Sequence, residues 1–79
     1  MNQQDVTEKV ISIIRNILDC EEEILPENSL MDDFGMNSLE SMRIIASLEE
    51  TFQIKISGKM LFRVDTVQDM AELIFGMIS

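Results

Sequence analysis

Residues 33–40 read Asp-Phe-Gly-Met-Asn-Ser-Leu-Glu and mark the start of a helix after a long connection. Asn37 and Glu40 have the spacing of a capping box, in which each side chain accepts a bond from the other residue's backbone N–H. Ser38 then takes the first helical position, and we expect its hydroxyl to face solvent at the positive end of the helix dipole. A phosphate attached there would be favoured by the dipole and by free N–H groups. On spacing alone, a serine that merely helps to start the helix is the simpler interpretation.

Apolar side chains recur at steps of three and four residues in three segments, which predicts three amphipathic helices. The first helix is predicted from about residue 3 to Leu18, with Asn2 as its cap and Asp5 in its first turn. Its buried face is Val6, Val10, Ile13, Ile14 and Ile17. The predicted buried stripe of the second helix is Leu39, Met42, Ile45, Leu48 and Phe52, widened by Ile44 and Ala46. The last helix is predicted to start at Asp65 or Thr66, with the stripe Val67, Met70, Ala71, Ile74, Phe75 and Ile78.

The connections between these helices are of two kinds. Residues 59–64, after Ser57 and Gly58, could form a single helical turn. Residues 19–37 are longer than most structureless connections in compact domains, and such connections usually have a function. Their turn residues are Pro26, Asn28, Ser29 and Gly35, and their apolar residues are Ile24, Leu25, Leu30, Met31 and Phe34. These apolar residues predict a connection that packs across the helices, with Phe34 as a core anchor and Gly35 in a turn.

The predicted fold is all-α, a four-helix bundle with three longer helices, one short third helix and a long loop between helices 1 and 2. A chain of 79 residues has room for one domain, residues 1–79, with a modest core. We expect a free-standing monomer, on the premise that every apolar stripe can be buried within the bundle.

Charge is concentrated in one segment of this chain, whose formal net charge is −9. Residues 19–40 hold eight carboxylates and no basic side chain. An acidic segment beside a candidate site favours basic partner surfaces, and it repels nucleic acid and anionic membranes. A solvated loop that only keeps the protein soluble is the alternative interpretation.

The sequence offers little for an enzyme of its own. It contains no histidine, no glycine-rich phosphate loop and no Cys/His cluster with metal-ligand spacing. The acidic stretch raises the possibility of a calcium module, but the spacing of an EF-hand loop is absent. The single Cys20 fits a reducing compartment. We predict no signal peptide and no membrane span, because the first residues are polar and no apolar run approaches about 18 residues. A cytoplasmic location is therefore expected.

Residues 33–40 resemble the signature of the acyl carrier protein family, in which Gly-x-Asp-Ser-Leu carries a modified serine. The resemblance extends without a gap over nearly the whole chain. Residues 46–52, Ala-Ser-Leu-Glu-Glu-Thr-Phe, are similar to the end of the family's second helix, and residues 65–69 are similar to the start of its fourth. Residues 21–24 and 28–30 match the loop that precedes the signature.

This resemblance implies a function by tethering. A phosphopantetheinyl transferase would attach the 4'-phosphopantetheine arm of coenzyme A to Ser38. The distal thiol would hold acyl, aminoacyl or polyketide groups as thioesters for loading ligases and synthases. The carrier itself would catalyse nothing and would need no metal.

The resemblance also implies sets of residues for partner recognition and for cargo. In the family, the second helix is the main recognition surface, and some members shelter the acyl chain between helices. The implied recognition residues are Asn37, Leu39, Glu40, Met42, Arg43, Glu49, Lys59 and Arg63. The candidates for an acyl cleft are Met42, Ile45, Ala46, Ile56, Leu61 and Val64, with a closed packed core as the alternative.

Four residues depart from the pattern of fatty-acid carriers. Asn37 stands where those carriers usually have Asp, and Arg43, Lys59 and Arg63 stand where they are usually or often acidic. The implied docking face is therefore mixed in sign, and we expect a specialised carrier in a secondary-metabolite or peptide-synthetase-type pathway. The alternative is a carrier-like helical domain that is not modified and serves protein interaction.

Overall fold

A computed structural model describes residues 2–30, 32–35 and 37–78, and for Ser38 it describes the backbone but not the side chain. Four helices lie in these ranges: α1 (Gln3–Leu18), α2 (Ser38–Phe52), α3 (Gly58–Leu61) and α4 (Val67–Ile78). The described ranges contain no strand, only an isolated antiparallel bridge between Ser29 and Thr66. The prediction of an all-α four-helix fold with one short third helix is confirmed.

The ends of α1 are determined by local hydrogen bonds. The backbone N–H of Asp5 donates to Asn2 Oδ1 at 2.8 Å, and the Asn2 N–H donates to Asp5 Oδ2 at 3.2 Å. The helix ends at Asp19, which has a left-handed backbone (φ 51°) and donates its N–H to the Arg15 carbonyl. The predicted start, end and cap of this helix are confirmed.

The core lies where α1 packs against α4 and α2. The seven largest of the completely or almost completely buried side chains lie there: Val6, Val10, Ile14, Ile44, Leu48, Val67 and Ile74. Burial of each such aliphatic side chain stabilises the fold by about 1.5–3 kcal/mol. This apolar seam therefore stabilises the packing of α2 and α4 against α1.

The predicted buried stripe of α2 was partly wrong. Leu39 and Met42 are each 66 % exposed, and Ala46 is exposed as well. At about 100° per residue, these three positions lie on the side of the helix opposite to Ile44 and Leu48. The helix therefore carries two apolar stripes, and only one of them faces the core. The premise that every apolar stripe is buried within the bundle was wrong for the same reason.

The two shorter elements differ slightly from expectation. Helix α3 begins one residue before the predicted turn and ends at Leu61, and Ser57 makes no side-chain bond to cap it. Helix α4 begins at Val67, because Thr66 acts as its cap: the Asp69 N–H donates to Thr66 Oγ1 at 3.1 Å. The predicted start of α4 was therefore early by one or two residues.

The long connection packs across the helices, as predicted. Ile24 and Leu30 are buried, and Phe34 is half-buried against the core. Leu25 differs, with 38 % of its surface exposed, and Met31 lies outside the described residues. Gly35 directly follows the turn of residues 32–34 and has a φ of +57°, the left-handed conformation that glycine adopts most easily.

Three backbone hydrogen bonds join this connection to the start of α4. The Leu30 N–H donates to the Asp65 carbonyl at 2.9 Å, and the N–H groups of Val67 and Gln68 donate to the carbonyls of Asn28 (3.0 Å) and Pro26 (2.8 Å). The Ser29 hydroxyl adds a bond to Asp65 Oδ1 at 3.1 Å. The segment that leads to α2 is thus held at a definite place on the bundle.

No helix in the described part of the chain combines the length and the apolar character needed to cross a membrane.

Candidate functional site

The start of α2 has the capping box that the sequence predicts. The Glu40 N–H donates to Asn37 Oδ1 at 2.8 Å, and the Asn37 N–H donates to Glu40 Oε1 at 3.3 Å. Asn37 has an extended backbone (φ −89°, ψ 177°), and Ser38 is the first residue of the helix. The expected direction of the Ser38 hydroxyl lies outside the part that the structure describes.

This position suits an anionic group. The first N–H groups of an α-helix have no partner within the helix, and the dipole is positive at that end. The capping box fixes the turn that presents them, because Asn37 and Glu40 are bonded to each other's backbone. The Glu40 N–H is already bonded to Asn37 Oδ1, so a phosphodiester on the first residue would be stabilised by the dipole and by the N–H groups that the capping box leaves free.

A cavity of about 150 Å³ adjoins the first turns of α2. Its lining comes from the long connection, α2, α3, the segment after α3 and α4: Leu30, Ser41, Ile44, Ile45, Leu61, Val64 and Met70. The register of α2 places Ser41 and Ile45 on the same side of the helix as Ser38, one and two turns away. An apolar group attached by a flexible arm at the start of α2 therefore has a space close at hand.

The structure brings together three of the six residues predicted for an acyl cleft. Ile45, Leu61 and Val64 line the cavity. Met42 and Ala46 are exposed on the outer side of α2 and were misplaced by the prediction, for the reason given for the buried stripe. The side chain of Ile56 is buried in the core and does not line the cavity.

Four lining residues were missed by sequence reasoning: Leu30, Ser41, Ile44 and Met70. For Ser41 a signal existed, since a residue three positions after Ser38 lies on the same side of the helix. For Leu30 and Met70 the sequence carried none, because their proximity to α2 depends on how the connection and α4 pack.

The predicted recognition residues fall into two groups. Leu39, Met42, Arg43, Lys59 and Arg63 are exposed. The other three make hydrogen bonds within the chain. Asn37 and Glu40 form the capping box, and Glu49 Oε2, on a half-buried side chain, accepts the Ile56 N–H at 2.8 Å. Glu49 thus stabilises the connection after α2, a role that its sequence position did not indicate.

The surroundings of the Asp69 side chain shift the pKa of its carboxyl group. The backbone N–H groups of Thr66 and Asp65 hold the pKa of the Asp69 carboxyl below its usual value, because both donate to the ionised form. This carboxylate stabilises the turn before α4 by accepting two of its backbone N–H groups. Among the described residues, no three His, Cys, Asp or Glu side chains are grouped so as to hold a metal ion.

Comparison with known proteins identifies the family. A family model described as the phosphopantetheine attachment site matches residues 8–74. The acyl carrier protein of Thermosynechococcus vestitus is 36 % identical over 75 residues, which cover 94 % of this chain and 93 % of that protein. The chain belongs to the acyl carrier protein family. Among solved structures, a candidate acyl carrier protein from Mycobacterium tuberculosis superposes with a TM-score of 0.84 at 29 % identity, over 91 % of this chain and 97 % of that one.

Membership of this family establishes the class of function. The protein is a carrier and not an enzyme, and its prosthetic group is 4'-phosphopantetheine, bound covalently. The arm is attached by a phosphopantetheinyl transferase, and synthase or ligase enzymes act on the groups that it carries. A serine on the first turn of a capped helix, beside an apolar cavity, fits such a group.

Proposed function

We propose that Ser38 carries the 4'-phosphopantetheine arm and that the chain, as a single carrier domain, presents acyl or aminoacyl intermediates as thioesters. The observation that supports this assignment best is the place of Ser38 as the first residue of α2, directly after the Asn37 cap. In the modification, the serine oxygen bonds to the proximal phosphorus of coenzyme A. The adenosine bisphosphate leaves, and the serine proton passes to the transferase or to solvent. The helix start then stabilises the resulting phosphodiester anion.

The first experiment measures the intact mass after incubation with coenzyme A and a broad-specificity transferase. We expect the unaltered chain to gain one phosphopantetheine. Ser41→Ala, which changes the next serine along the same side of α2, should gain it as well, and Ser38→Ala should not. A folded chain that gains nothing with several transferases would instead support the unmodified interaction domain, and Asn37→Asp would be the next variant.

The arm acts by raising the local concentration of its cargo. A tethered thioester meets each bound partner in an almost intramolecular encounter, so no free intermediate has to diffuse between enzymes. The bond chemistry belongs to the partners. A short apolar part of the cargo can shelter in the cavity beside α2 between encounters.

The size of the cavity limits what can be sheltered. Its volume of about 150 Å³ equals that of an engineered protein cavity that binds benzene, so it accommodates about six carbon atoms. In a series of acyl thioesters of increasing length on Ser38, thermal stability should therefore rise with each added carbon and level off near six. A stability that does not depend on chain length would contradict shelter in this cavity. Val64→Phe should remove the rise, because a larger side chain at the lining occupies the space.

We propose the type of pathway from the charges of the exposed residues. Arg43, Lys59 and Arg63 are exposed, and Asn37 is neutral, so enzymes that recognise a uniformly acidic fatty-acid carrier meet opposing charges here. We expect poor loading by a malonyl transferase of fatty acid synthesis and better loading by an amino-acid- or acyl-activating ligase. The double variant Asn37→Asp, Arg43→Glu should be loaded better by the malonyl transferase. Malonyl loading of the unaltered chain at the rate of a fatty-acid carrier would overturn the specialised assignment.

A cytoplasmic monomer remains the proposed state of the carrier. The half-buried Cys20 is the only cysteine in the chain and can form no internal disulfide, which is consistent with a reducing compartment. Sedimentation velocity at several protein concentrations tests the monomer, and a concentration-dependent increase in sedimentation would contradict it.

A further inference from the structure

Ser41 has the only polar side chain among the described residues that line the cavity beside α2. The other lining side chains are aliphatic or, at Met70, a thioether. Ser41 lies one helical turn after Ser38 and is half-buried, so its hydroxyl is partly removed from bulk water. The cavity therefore offers an apolar volume of about 150 Å³ with one hydrogen-bonding side chain on its wall.

The Ser41 hydroxyl is not bonded to its own helix in the usual way. Serine and threonine in a helix often bond their hydroxyl to the carbonyl four residues before, as Thr7 does in α1, where Oγ1 donates to the Gln3 carbonyl at 3.0 Å. For Ser41 the corresponding carbonyl is that of Asn37, which accepts the Ser41 backbone N–H at 3.0 Å. Asn37 and Ser41 both lie in the described ranges, and no hydrogen bond joins the Ser41 hydroxyl to that carbonyl. The hydroxyl is therefore able to bond a group in the cavity.

We propose that Ser41 determines specificity for the cargo: its hydroxyl binds an oxygen on the acyl chain, so that the cavity prefers short, uncharged acyl chains that carry a hydroxyl or oxo group. This inference rests on the proposed attachment of the arm at Ser38. Condensation of two thioesters leaves an oxygen on the third carbon of the acyl chain. Acyl chains with a 3-oxo or 3-hydroxy group are therefore the class of cargo that suits this wall.

A plain alkyl chain and an oxygenated acyl chain differ in what they offer to Ser41. An alkyl chain that fills the cavity displaces water from the hydroxyl and supplies no partner in return, which costs free energy. An oxygen on the acyl chain takes the place of that water. Conversely, a hydroxyl on the acyl chain loses its own bonds to water on entry, and a wall without the Ser41 hydroxyl would replace none of them. Ser41 therefore favours the oxygenated acyl chain over the plain one in both respects.

The same wall disfavours charged cargo. Among the described residues that line the cavity there is neither a carboxylate nor a basic side chain. Burial of an ammonium group without a partner is unfavourable in such surroundings. An aminoacyl group still travels on the arm, but we expect it to stay outside the cavity while its amine is protonated.

The experiment compares acyl groups of equal length, loaded on Ser38 from their coenzyme A thioesters by a broad-specificity transferase. The groups are hexanoyl, each enantiomer of 3-hydroxyhexanoyl, and 2-aminohexanoyl. Urea unfolding measures how much each acyl group stabilises the fold relative to the protein with the bare arm. This gain yields an equilibrium constant for sheltering, because the unfolded protein has no cavity.

Ser41→Thr and Ser41→Val form a matched pair, because the two side chains have nearly the same shape and only threonine keeps the hydroxyl. For at least one enantiomer, the sheltering constant of 3-hydroxyhexanoyl relative to hexanoyl should be about three- to tenfold higher in Ser41→Thr than in Ser41→Val, as expected for one hydrogen bond. Ser47→Ala changes another half-buried serine of α2, which does not line the cavity, and it should leave this ratio unchanged. In the unaltered protein, nuclear Overhauser effects should join the proton on the third carbon of that enantiomer to the Ser41 β-protons.

Equal ratios in Ser41→Thr and Ser41→Val, or absence of those nuclear Overhauser effects, would overturn the proposal. A common loss of sheltering for both acyl groups in Ser41→Val would assign the hydroxyl to the thioester carbonyl, which all cargo shares, and would overturn it too. So would equal stabilisation by 2-aminohexanoyl and hexanoyl below the α-amino pKa of about 8. Loading at Ser38 is read independently by intact mass. A loaded protein without the preference refutes the role of Ser41 alone, whereas a folded protein that cannot be loaded refutes the proposed function and this inference together.

Discussion

The carboxylate of Asp69 should stabilise the fold through the turn that precedes α4. Its Oδ2 accepts the backbone N–H groups of both Asp65 and Thr66, each at 3.1 Å. The same turn is joined to the long connection by the bridge between Thr66 and Ser29. Asp69→Asn keeps the size of the side chain and removes its charge, so it tests the ionised acceptor and little else.

Asp69→Asn should lower the free energy of unfolding by about 1 kcal/mol at neutral pH. Hydrogen bonds to a charged acceptor contribute about 1.5–3 kcal/mol each when they are shielded from water. Solvent screening at the surface reduces such contributions strongly, and the loss of a helix cap typically costs about 1 kcal/mol. For a domain of this size, that loss lowers Tm by about 4–8 °C.

The pH dependence of this loss has a definite sign. The pKa of Asp69 is lowered in the folded chain by the two backbone N–H donors. The stabilisation is therefore fully present above the unfolded pKa of about 3.9, and it is lost as the pH falls through the lower folded value. The difference in stability between the unaltered chain and Asp69→Asn should stay constant from about pH 7 to pH 5 and then close in strong acid.

Urea unfolding followed by far-UV circular dichroism measures this difference at each pH. Glu72→Gln is the matched control, because it makes the same change of charge on the same helix. The only bond to the Glu72 carboxylate in the described residues is donated by Gln68 Nε2, at 3.0 Å. The control should lose less than about 0.5 kcal/mol. The reasoning would be refuted if Asp69→Asn and Glu72→Gln lost equal amounts of unfolding free energy. It would also be refuted if the difference between Asp69→Asn and the unaltered chain persisted in strong acid.

Three further predictions concern the helices. Leu48→Ala, at a completely buried side chain, should lower the free energy of unfolding by about 2.7–5 kcal/mol. Met42→Ala, on the outer side of α2, should change it by less than about 0.5 kcal/mol. Similar losses of the two variants in urea unfolding would contradict the two faces assigned to α2. Gly76→Ala should raise the free energy of unfolding by about 0.5 kcal/mol, because an added Cβ meets nothing within 4 Å, and a lower Tm would disprove this. Asn37→Ala removes the acceptor at the start of α2 and should cost about 1 kcal/mol, whereas Asn37→Asp, which keeps an acceptor, should melt close to the unaltered chain; identical melting of both variants would contradict the capping role.

Much of the fold was predictable because its decisive signals are local. The caps at Asn2 and Asn37 depend on residues three positions away, so they could be identified by spacing alone. Gly35 was placed in a turn on the same grounds, since its freedom to adopt a positive φ does not depend on distant contacts. For the candidate site, the first helical position of Ser38 follows directly from the Asn37 cap.

The buried side of α2 was not predictable from periodicity. Apolar residues lie on two sides of this helix, and a 3.6-residue period fits Leu39 and Met42 as well as it fits Ile44 and Leu48. The choice between the two sides depends on where α1 lies, and α1 is separated from α2 by the whole of the acidic connection. The same limit explains why Met42 and Ala46 were wrongly placed in the cleft.

The sequence by itself determined the three longer helices to within two residues, the caps at Asn2 and Asn37, the acidic connection and the position of the candidate serine. It did so because each of these depends on neighbours a few residues apart. The tertiary structure alone decided which apolar side chains are buried and which remain available to partners. It also decided the cavity, where Leu30, Leu61 and Met70 meet from three separate segments. Burial is a property of the surfaces that several elements leave between them, so it follows from their packing rather than from the pattern of any one of them.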